Sequence, residues 1–250
     1  MVYDLIKSAY LKGEKMLSFL LDPDKCDNSQ LDYLIKIFNK RPPHFILVGG
    51  SLISTPFEYM VKSLKQNLNI PIVLYPGHPS HIYPDFDAIL FLSMISGRNP
   101  ELLIGSHVVA APIIKRYAIE PVSTGYMLID GGVSTSVEYM SNTRPIPADK
   151  TDIIVSTAIA GEMLGYKLIY MDAGSGAINP VSGNVIKEVK NNCSIPLMIG
   201  GGINTTKKLK TAFDFGADIV VIGNVLEKKP EMLEEFFEVI DKGKELVIND

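Results

Sequence analysis

The sequence has few of the features that mark secreted, membrane-spanning or nucleic-acid-binding proteins. It contains only two cysteines, Cys26 and Cys193, whose wide separation argues against a disulfide scaffold or a zinc site. The formal charge is -4 and no Lys/Arg-rich block occurs, so nothing electrostatic favours nucleic acid. No apolar stretch approaches the roughly 20 residues of a membrane span, and the first residues lack the layout of a signal peptide. The sequence therefore predicts a soluble cytoplasmic protein.

Length and composition favour one α/β barrel. The chain has 250 residues, of which 46% are hydrophobic and 21% are charged, which are ordinary values for a globular protein. A (β/α)₈ barrel has about 250 residues in one domain, so dividing length by a typical domain size would mislead. We therefore expect residues 1–250 to form a single domain.

Short apolar runs recur along the chain, most of them separated by segments that are compatible with helices. The runs are nearly continuous in aliphatic residues, as expected for parallel strands that are covered on both faces. The predicted strands are Leu17–Asp22, Phe45–Gly50, Ile70–Tyr75, Ala88–Ser93, Tyr126–Asp130, Leu168–Asp172, Leu197–Gly200 and Ile219–Gly223. Eight strands with intervening helices predict a TIM barrel, whose sites lie at the carboxyl ends of the strands.

Helix signals fill most of the gaps between these runs. Thr55 and Glu58 have capping-box spacing around Pro56, and Asn204 is placed to cap a helix that ends at Phe215-Gly216. The further predicted helices run from Asn99-Pro100 to about Pro112, from Ala148 to Leu164, and from Glu231 to Leu246.

The gap between Tyr75 and Ala88 is different. It contains three prolines and Gly77, which leave no room for a regular crossover helix. We expect the third helix of the barrel to be replaced by an irregular segment, which would open a lateral groove.

Three glycine clusters follow the last three predicted strands. They lie in Tyr170–Ala177, in Gly200–Gly202 and at Gly223-Asn224. Bare backbone N–H groups at neighbouring strand ends form a natural cradle for phosphate. A single cluster would more simply be a tight strand-to-helix turn, but three in succession favour a phosphate-binding barrel.

A carboxylate and a hydroxyl follow the first two predicted strands. Asp22 and Ser51 can face one cavity there, and hard oxygen ligands of this kind suit Mg²⁺ together with waters and substrate phosphate oxygens. The alternative is that Asp22 caps a turn and Ser51 is an ordinary loop residue. Asp172 lies between the two anion-binding ends, where it can orient a hydroxyl or accept its proton, or can instead bond to backbone amides.

These motifs together resemble one family. Leu21-Asp22-Pro23-Asp24-Lys25, Val48-Gly49-Gly50-Ser51, Tyr170–Ala177, Gly200-Gly201-Gly202-Ile203 and Gly223-Asn224 are similar to those of geranylgeranylglyceryl phosphate synthase and of the related bacterial heptaprenylglyceryl phosphate synthase. The resemblance runs from about Leu17 to Asn224. Generic phosphate-binding barrels share the late glycine clusters but not the early pair of motifs.

The resemblance implies transfer of a prenyl group from a prenyl diphosphate to the 3-hydroxyl of sn-glycerol 1-phosphate, in ether lipid biosynthesis. It implies a barrel that lacks the third helix, contact with the membrane that is at most transient, and a homo-oligomer, either a dimer or a hexamer. Asp22 and Ser51 match the family's Mg²⁺ positions, and Asp172 and Tyr170 match positions expected to be catalytic. The matching glycerol phosphate positions are Tyr170, Met171, Asp172, Ala173, Gly174, Ser175, Gly176, Gly201, Gly202, Gly223 and Asn224.

Two departures from the family pattern matter. The family usually has glutamate where this chain has Asp172, so the carboxylate is one methylene shorter. The heptaprenyl branch has a lysine two residues before the metal aspartate, where this chain has Leu20. With the Ala-Gly-Ser-Gly sequence after Asp172, this favours a C20 donor.

Three other hypotheses stay open at this point. The same reaction can use another prenyl chain length. A sugar-phosphate isomerase or epimerase on the same barrel would need a catalytic acid/base pair and no prenyl diphosphate. A catalytically silent phosphate-binding TIM barrel would bind ligand without releasing diphosphate.

Overall fold

Eight parallel strands close into a barrel, in which each strand pairs with the next and β8 pairs with β1. A computed structural model gives the structure of residues 1–248, and for residues 227, 228 and 242–248 it describes the backbone alone. Residues 249 and 250 of the predicted domain lie outside the described residues. The strands are Met16–Leu21 (β1), Phe45–Gly49 (β2), Ile72–Tyr75 (β3), Ala88–Met94 (β4), Glu120–Leu128 (β5), Leu168–Asp172 (β6), Leu197–Gly200 (β7) and Ile219–Ile222 (β8). The predicted (β/α)₈ TIM barrel is confirmed.

Helices follow most of the strands. They are Val2–Leu11 (α1), Asn28–Lys40 (α2), Glu58–Asn67 (α3), Ser106–Arg116 (α4), Ser136–Ser141 (α5), Thr151–Met163 (α6), Gly183–Asn192 (α7), Thr206–Asp214 (α8), Asn224–Lys228 (α9) and Leu233–Ile248 (α10). None of the helices in the described part of the chain is long and apolar enough to cross a membrane.

Alternation along the strands divides the core into two layers. On β6, Leu168 and Tyr170 belong to a cluster that fills the barrel, whereas Ile169 and Met171 belong to a larger cluster between the barrel and its helices. Successive side chains of a strand point to opposite faces, so both layers come from the same apolar runs. This explains why the strands are apolar at almost every position.

Helix α1 closes the amino-terminal end of the barrel and was not predicted from the sequence. Val2, Ile6 and Ala9 are buried in the inner cluster. The amides of Val2 and Tyr3 donate to the carboxylate of Glu120 at the start of β5, over 2.5 and 3.0 Å. These contacts satisfy two of the amides that every helix leaves unpaired at its amino terminus.

The connection between β3 and β4 has no regular helix, as predicted. It contains one short 3₁₀ turn, Pro79–His81, which His78 begins by accepting a hydrogen bond from the Ser80 amide. The outer faces of β3 and β4 are therefore not covered by a helix from their own connection.

The predicted helix starts differ from the structure by a few residues; α6 begins at Thr151 rather than Ala148, and α10 at Leu233 rather than Glu231. Thr55 does not cap α3, because the helix begins only at Glu58 with Phe57 at the cap position; the Thr55 amide donates instead to Asp24 over 2.7 Å. Thr205 rather than Asn204 caps α8, accepting a hydrogen bond from the Lys208 amide. The helix predicted from Asn99 begins as the π-helix Glu101–Gly105 and continues as α4.

Candidate active site

The carboxyl ends of the strands surround a cavity of about 670 Å³, which we call the polar cavity because the charged side chains of Asp22, Lys25 and Asp172 lie on its wall. Most of the predicted site residues line this cavity, which lies where the sites of TIM barrels are found. They are Asp22, Ser51, Tyr170, Asp172, Ser175, Gly176, Gly201, Gly202, Gly223 and Asn224. The structure therefore brings both predicted anion-binding ends into one space.

Glycines give the far wall of the cavity its backbone conformation. Gly176, Gly201 and Gly202 have φ angles of +83°, +77° and +69°, in the left-handed region that side chains disfavour. A Cβ on Gly201 would lie 2.6 Å from Asp172 Oδ1, so the loops after β6 and β7 pack too closely for a side chain there. Within the described residues, the amides of Ser175, Gly176 and Gly202 donate to no protein acceptor. They are available to an anionic ligand.

The loops after β6 and β8 are joined across this wall. The Ser175 hydroxyl donates to Asn224 Oδ1 over 2.8 Å. Lys208 ties the loops after β6 and β7 together, because its ammonium group donates to the carbonyls of Ile178 and Gly202. The three glycine clusters are thus linked to one another as well as close together.

Three of the predicted phosphate-site residues do not line the cavity. Met171 packs in the outer layer and is fully buried. The Ala173 amide donates to the Gly200 carbonyl, and the Gly174 amide donates to Asp172 Oδ1. These residues shape the loop after β6, and neither of these two amides is left for a ligand.

Asp172 ends β6 with its side chain facing the barrel interior. Its Oδ1 accepts the Gly174 amide over 2.7 Å, and its Oδ2 accepts the Tyr126 hydroxyl over 2.8 Å. Burial raises the pKa of Asp172, while the hydrogen bonds from Gly174, Tyr126 and Tyr75 act in the opposite direction. A carboxylate with a raised pKa is a better proton acceptor, which suits a general base.

Tyr170 lies two residues before Asp172 on the same face of β6. Its ring is buried and packs edge-on against Tyr126, with ring centres 5.4 Å apart. Gly200 on β7 leaves room for the Tyr170 hydroxyl, since a Cβ there would collide with it. Burial, followed by the charge of Asp172, raises the pKa of Tyr170, so its hydroxyl remains protonated.

The sequence reasoning missed the part that Tyr75 and Tyr126 play around Asp172. Tyr75 ends β3 and Tyr126 lies near the end of β5, and both side chains belong to the inner layer. Tyr75 makes a longer contact of 3.5 Å with Asp172 Oδ2. The positions of Tyr75 and Tyr126 in the sequence could have indicated this role, because inward-facing residues at the carboxyl ends of barrel strands meet in one site.

The near end of the cavity has the oxygen donors that Mg²⁺ prefers. Asp22 follows β1 and Ser51 follows β2, and a Cβ added to Gly50 would lie 3.5 Å from Asp22 Oδ2. Asp22 also accepts from the Asp24 amide and forms a 2.9 Å ion pair with Lys25. Among the described residues, no three His, Cys, Asp or Glu side chains are grouped to hold a metal. Asp22 and Ser51 offer oxygen atoms of the kind that Mg²⁺ prefers, so an ion bound there would take most of its ligands from water and a diphosphate.

A second, apolar cavity of about 510 Å³ lies beside the first. It occupies the side of the barrel where the regular third helix is missing. Its wall includes the irregular segment after β3, the outer part of β4 and helix α4, through residues such as Ile82, Phe91 and Ala110. The two cavities share Ser51, Leu52, Tyr75 and Val137. They therefore meet beside the predicted metal position.

Comparisons with known proteins agree on one assignment. A model of the PcrB family matches residues 10–240. Two relatives are named geranylgeranylglyceryl phosphate synthase. The one from Chitinophaga pinensis is 44% identical over 96% of this chain and 95% of its own, and the one from Flavobacterium johnsoniae is 47% identical over 90% and 93%. The crystal structure of (S)-3-O-geranylgeranylglyceryl phosphate synthase from Thermoplasma acidophilum with sn-glycerol-1-phosphate superposes with a TM-score of 0.88 at 27% identity, covering 96% of this chain and 97% of that one.

Proposed function

This chain belongs to the PcrB family, and from this premise we propose that it joins geranylgeranyl diphosphate to the 3-hydroxyl of sn-glycerol 1-phosphate, forming geranylgeranylglyceryl phosphate and diphosphate. The relatives that match along nearly the whole chain carry the name of that synthase. The reaction makes it a prenyltransferase of ether lipid biosynthesis.

The observation that carries the proposal is the meeting of two unlike cavities. The polar cavity has amides from Ser175, Gly176 and Gly202 that bond to no acceptor in the described part of the chain, whereas the other cavity is an apolar groove. Glycerol phosphate needs the first kind of surface and a C20 hydrocarbon needs the second. Their junction at Ser51 and Tyr75 is where the reacting hydroxyl and the allylic carbon would meet.

The polar cavity would fix the acceptor by its phosphate. Backbone amides from the loops after β6 and β7 would bind the phosphate oxygens without a basic side chain. Binding at that wall would direct the glycerol 3-hydroxyl toward Asp172 and the junction. Holding the reactants in place in this way removes much of the entropic cost of a reaction between two molecules.

Asp22 and Ser51 would hold Mg²⁺ together with the diphosphate of the donor. When bound, the ion would neutralise charge on the departing diphosphate. Lys25 lies 2.9 Å from Asp22 and adds positive charge at the same end of the cavity. Asp172 would accept the proton of the attacking hydroxyl, and Tyr170 would pack beside the glycerol moiety.

Leu20 stands where the heptaprenyl branch has lysine, which supports a C20 donor. Leu20 lines the polar cavity, so this difference lies in the wall of the site itself. The proposal carries with it a cytoplasmic location, transient contact with the membrane to collect the donor, and a homo-oligomeric assembly, as the resemblance implies.

The test is product formation from radiolabelled glycerol 1-phosphate and geranylgeranyl diphosphate, with and without Mg²⁺. Both enantiomers of the acceptor and donors of C15, C20 and C35 are compared. We expect Mg²⁺-dependent label in the organic phase with the sn-1 enantiomer and the C20 donor. Folded protein that forms no product with any donor would refute the proposal and favour a silent phosphate-binding barrel.

A further inference from the structure

Tyr75 is the one tyrosine of the Asp172 cluster that reaches both cavities. It ends β3 at the gap left by the missing helix, and it lines the polar cavity and the apolar groove. Tyr170 lines only the polar cavity, and Tyr126 lines only the groove. The side chain of Tyr75 therefore stands at the junction where the proposed reactants meet.

Of the groups that contact the Asp172 carboxylate, Tyr75 is the one that lines both cavities. Oδ1 is engaged by the Gly174 amide, and Oδ2 by the Tyr126 hydroxyl. Tyr75 approaches the same Oδ2 at 3.5 Å. Asp172 and Tyr75 are each 7% exposed and both line the polar cavity, but only Tyr75 also lines the groove.

The short side chain of Asp172 gives the contact with Tyr75 a possible role in proton transfer. A glutamate at this position would extend one further methylene toward the acceptor. Aspartate ends about 1.5 Å earlier, one carbon–carbon bond short. A hydroxyl at the junction that already contacts the carboxylate can bridge that distance.

Resting on the proposed function, we propose that Tyr75 is a catalytic proton relay that compensates for the short side chain of Asp172. The oxygen of the glycerol 3-hydroxyl forms a bond to the allylic carbon of the donor. Its proton moves to the Tyr75 oxygen while the Tyr75 proton moves to Asp172 Oδ2. The bond between the allylic carbon and the diphosphate oxygen breaks, and diphosphate leaves with the electron pair.

The chemistry of Tyr75 suits a relay. Burial, together with the charge of Asp172, raises the pKa of Tyr75, so the resting side chain is a hydroxyl with a proton to donate. The 3.5 Å separation is long for proton transfer, but catalytic hydrogen bonds commonly shorten when substrate binds. The two proton transfers need no reactant beyond the two substrates of the proposed reaction.

The experiment uses Tyr75→Phe, Asp172→Glu and the double variant. Removing a general acid/base commonly lowers the rate by about 10²-fold or more. We expect Tyr75→Phe to lower kcat by about 10²-fold with the KM for glycerol 1-phosphate changed by less than about threefold. Adding Asp172→Glu to Tyr75→Phe should restore kcat by about tenfold, because the longer carboxylate then reaches the acceptor directly.

Tyr126→Phe is the matched control, since it removes a hydroxyl from the same Asp172 oxygen. Tyr126 does not line the polar cavity, so Asp172→Glu should not rescue this variant. Thermal unfolding shows that each variant is folded. Retention of kcat within about threefold in Tyr75→Phe, or no rescue by Asp172→Glu, would overturn the relay.

A second measurement needs only the unmodified protein. Single-turnover rates are recorded in mixtures of H₂O and D₂O at the plateau of the pH profile. Two protons moving in one step give a curved dependence of the rate on deuterium fraction. A linear dependence would overturn the relay while the unmodified protein still forms product, which separates this failure from failure of the proposed function.

Discussion

Asp24 Oδ1 accepts a 2.7 Å hydrogen bond from the Thr55 amide and so joins the loop after β1 to the loop after β2. Its other oxygen accepts the Ser54 amide over 2.9 Å and the Ser54 hydroxyl over 3.0 Å. Asp22 and Ser51, the proposed metal residues, lie on these two loops. An exposed carboxylate outside the proposed metal site therefore helps to set the spacing of the two loops that carry it.

Replacing Asp24 should weaken binding of the donor. We expect Asp24→Ala to raise the KM for geranylgeranyl diphosphate several-fold, because Ser51 loses its fixed position, and to leave the KM for glycerol 1-phosphate unchanged. Partial burial opposes ionisation, but hydrogen bonds from Thr55 and Ser54 lower the pKa of Asp24 to about 2. The carboxylate therefore stabilises the loops above the ordinary carboxyl pKa, and this is lost only as pH falls through about 2. An effect of Asp24→Ala that differed between pH 6 and pH 8 would contradict this.

The dependence on Mg²⁺ should report on Asp22 and Ser51 separately. We expect Asp22→Asn to raise the Mg²⁺ concentration for half-maximal rate by about 10-fold or more, because it removes the one carboxylate of the proposed donor set. Ser51→Ala should raise it less, since water can replace a neutral hydroxyl. The measurement is a Mg²⁺ titration of the initial rate at saturating substrates, and equal midpoints for all three proteins would exclude this site.

Gly176 and Gly165 offer a matched test of whether the glycine loops of the polar cavity bind the phosphate of glycerol 1-phosphate. Both have left-handed φ angles, of +83° and +89°, and an added Cβ would meet nothing closer than 3.8 Å at either position. Each alanine variant should lose about 1 kcal/mol of stability from backbone strain. Only Gly176→Ala should raise the KM for glycerol 1-phosphate, because Gly165 lies beyond the end of α6. The free energies of unfolding and the two KM values check this, and a similar KM change in both variants would refute the assignment.

The pH profile should show the raised pKa of Asp172. Its carboxylate faces Tyr75 from β3, Tyr126 from β5, and Tyr170 and the Gly174 amide from its own strand and loop. A base must be deprotonated, so kcat/KM should fall as pH decreases through a pKa above the ordinary carboxyl value of about 4. Tyr126→Phe removes a hydrogen bond that favours the charged form and should move this limb to higher pH. A profile that is flat down to pH 4 would exclude Asp172 as the base.

A partly buried ion pair at the opposite end of the barrel should affect stability alone. Asp218 Oδ2 accepts Lys190 Nζ over 2.6 Å and the Leu197 amide over 2.8 Å. Asp218→Ala leaves both donors without this acceptor and should cost about 3 kcal/mol. Asp214→Ala removes an exposed pair with Lys210 and should cost less than about 1 kcal/mol. Denaturant unfolding measures both, and kcat should be unchanged in each variant.

The strands could be predicted because the apolar runs are continuous. The observed β6 and β7 have the predicted limits, Leu168–Asp172 and Leu197–Gly200. Strand β5 begins at Glu120, six residues before the predicted start at Tyr126, because Pro121, Ser123 and Thr124 resemble a loop by composition. In the structure Thr124 is buried, and its hydroxyl bonds to the Val122 carbonyl. Tertiary contacts there outweigh local propensity.

Site residues could be predicted where a local motif carries them, as at Asp22, at Ser51 and in the three glycine clusters. Asp172 and its glycines are contiguous, so the pattern identified them. The tyrosine cluster comes from β3, β5 and β6, and its members meet only when the barrel closes with β3 to β6 in order. The capping-box pattern at Thr55 failed for the same reason, since Asp24 is 31 residues away in the chain.

Because no regular helix lies between β3 and β4, substitutions that change the groove can occur without substitutions at the reacting groups. The proposed chemistry takes place at the rim of the barrel, whereas the hydrocarbon would lie in a side groove that shares only a few wall residues with the polar cavity. Substitutions at positions such as Phe91 or Ala110 would alter the fit of the tail without disturbing phosphate or carboxylate positions. The length of prenyl chain that such a barrel accepts can therefore change in evolution while the reaction stays the same.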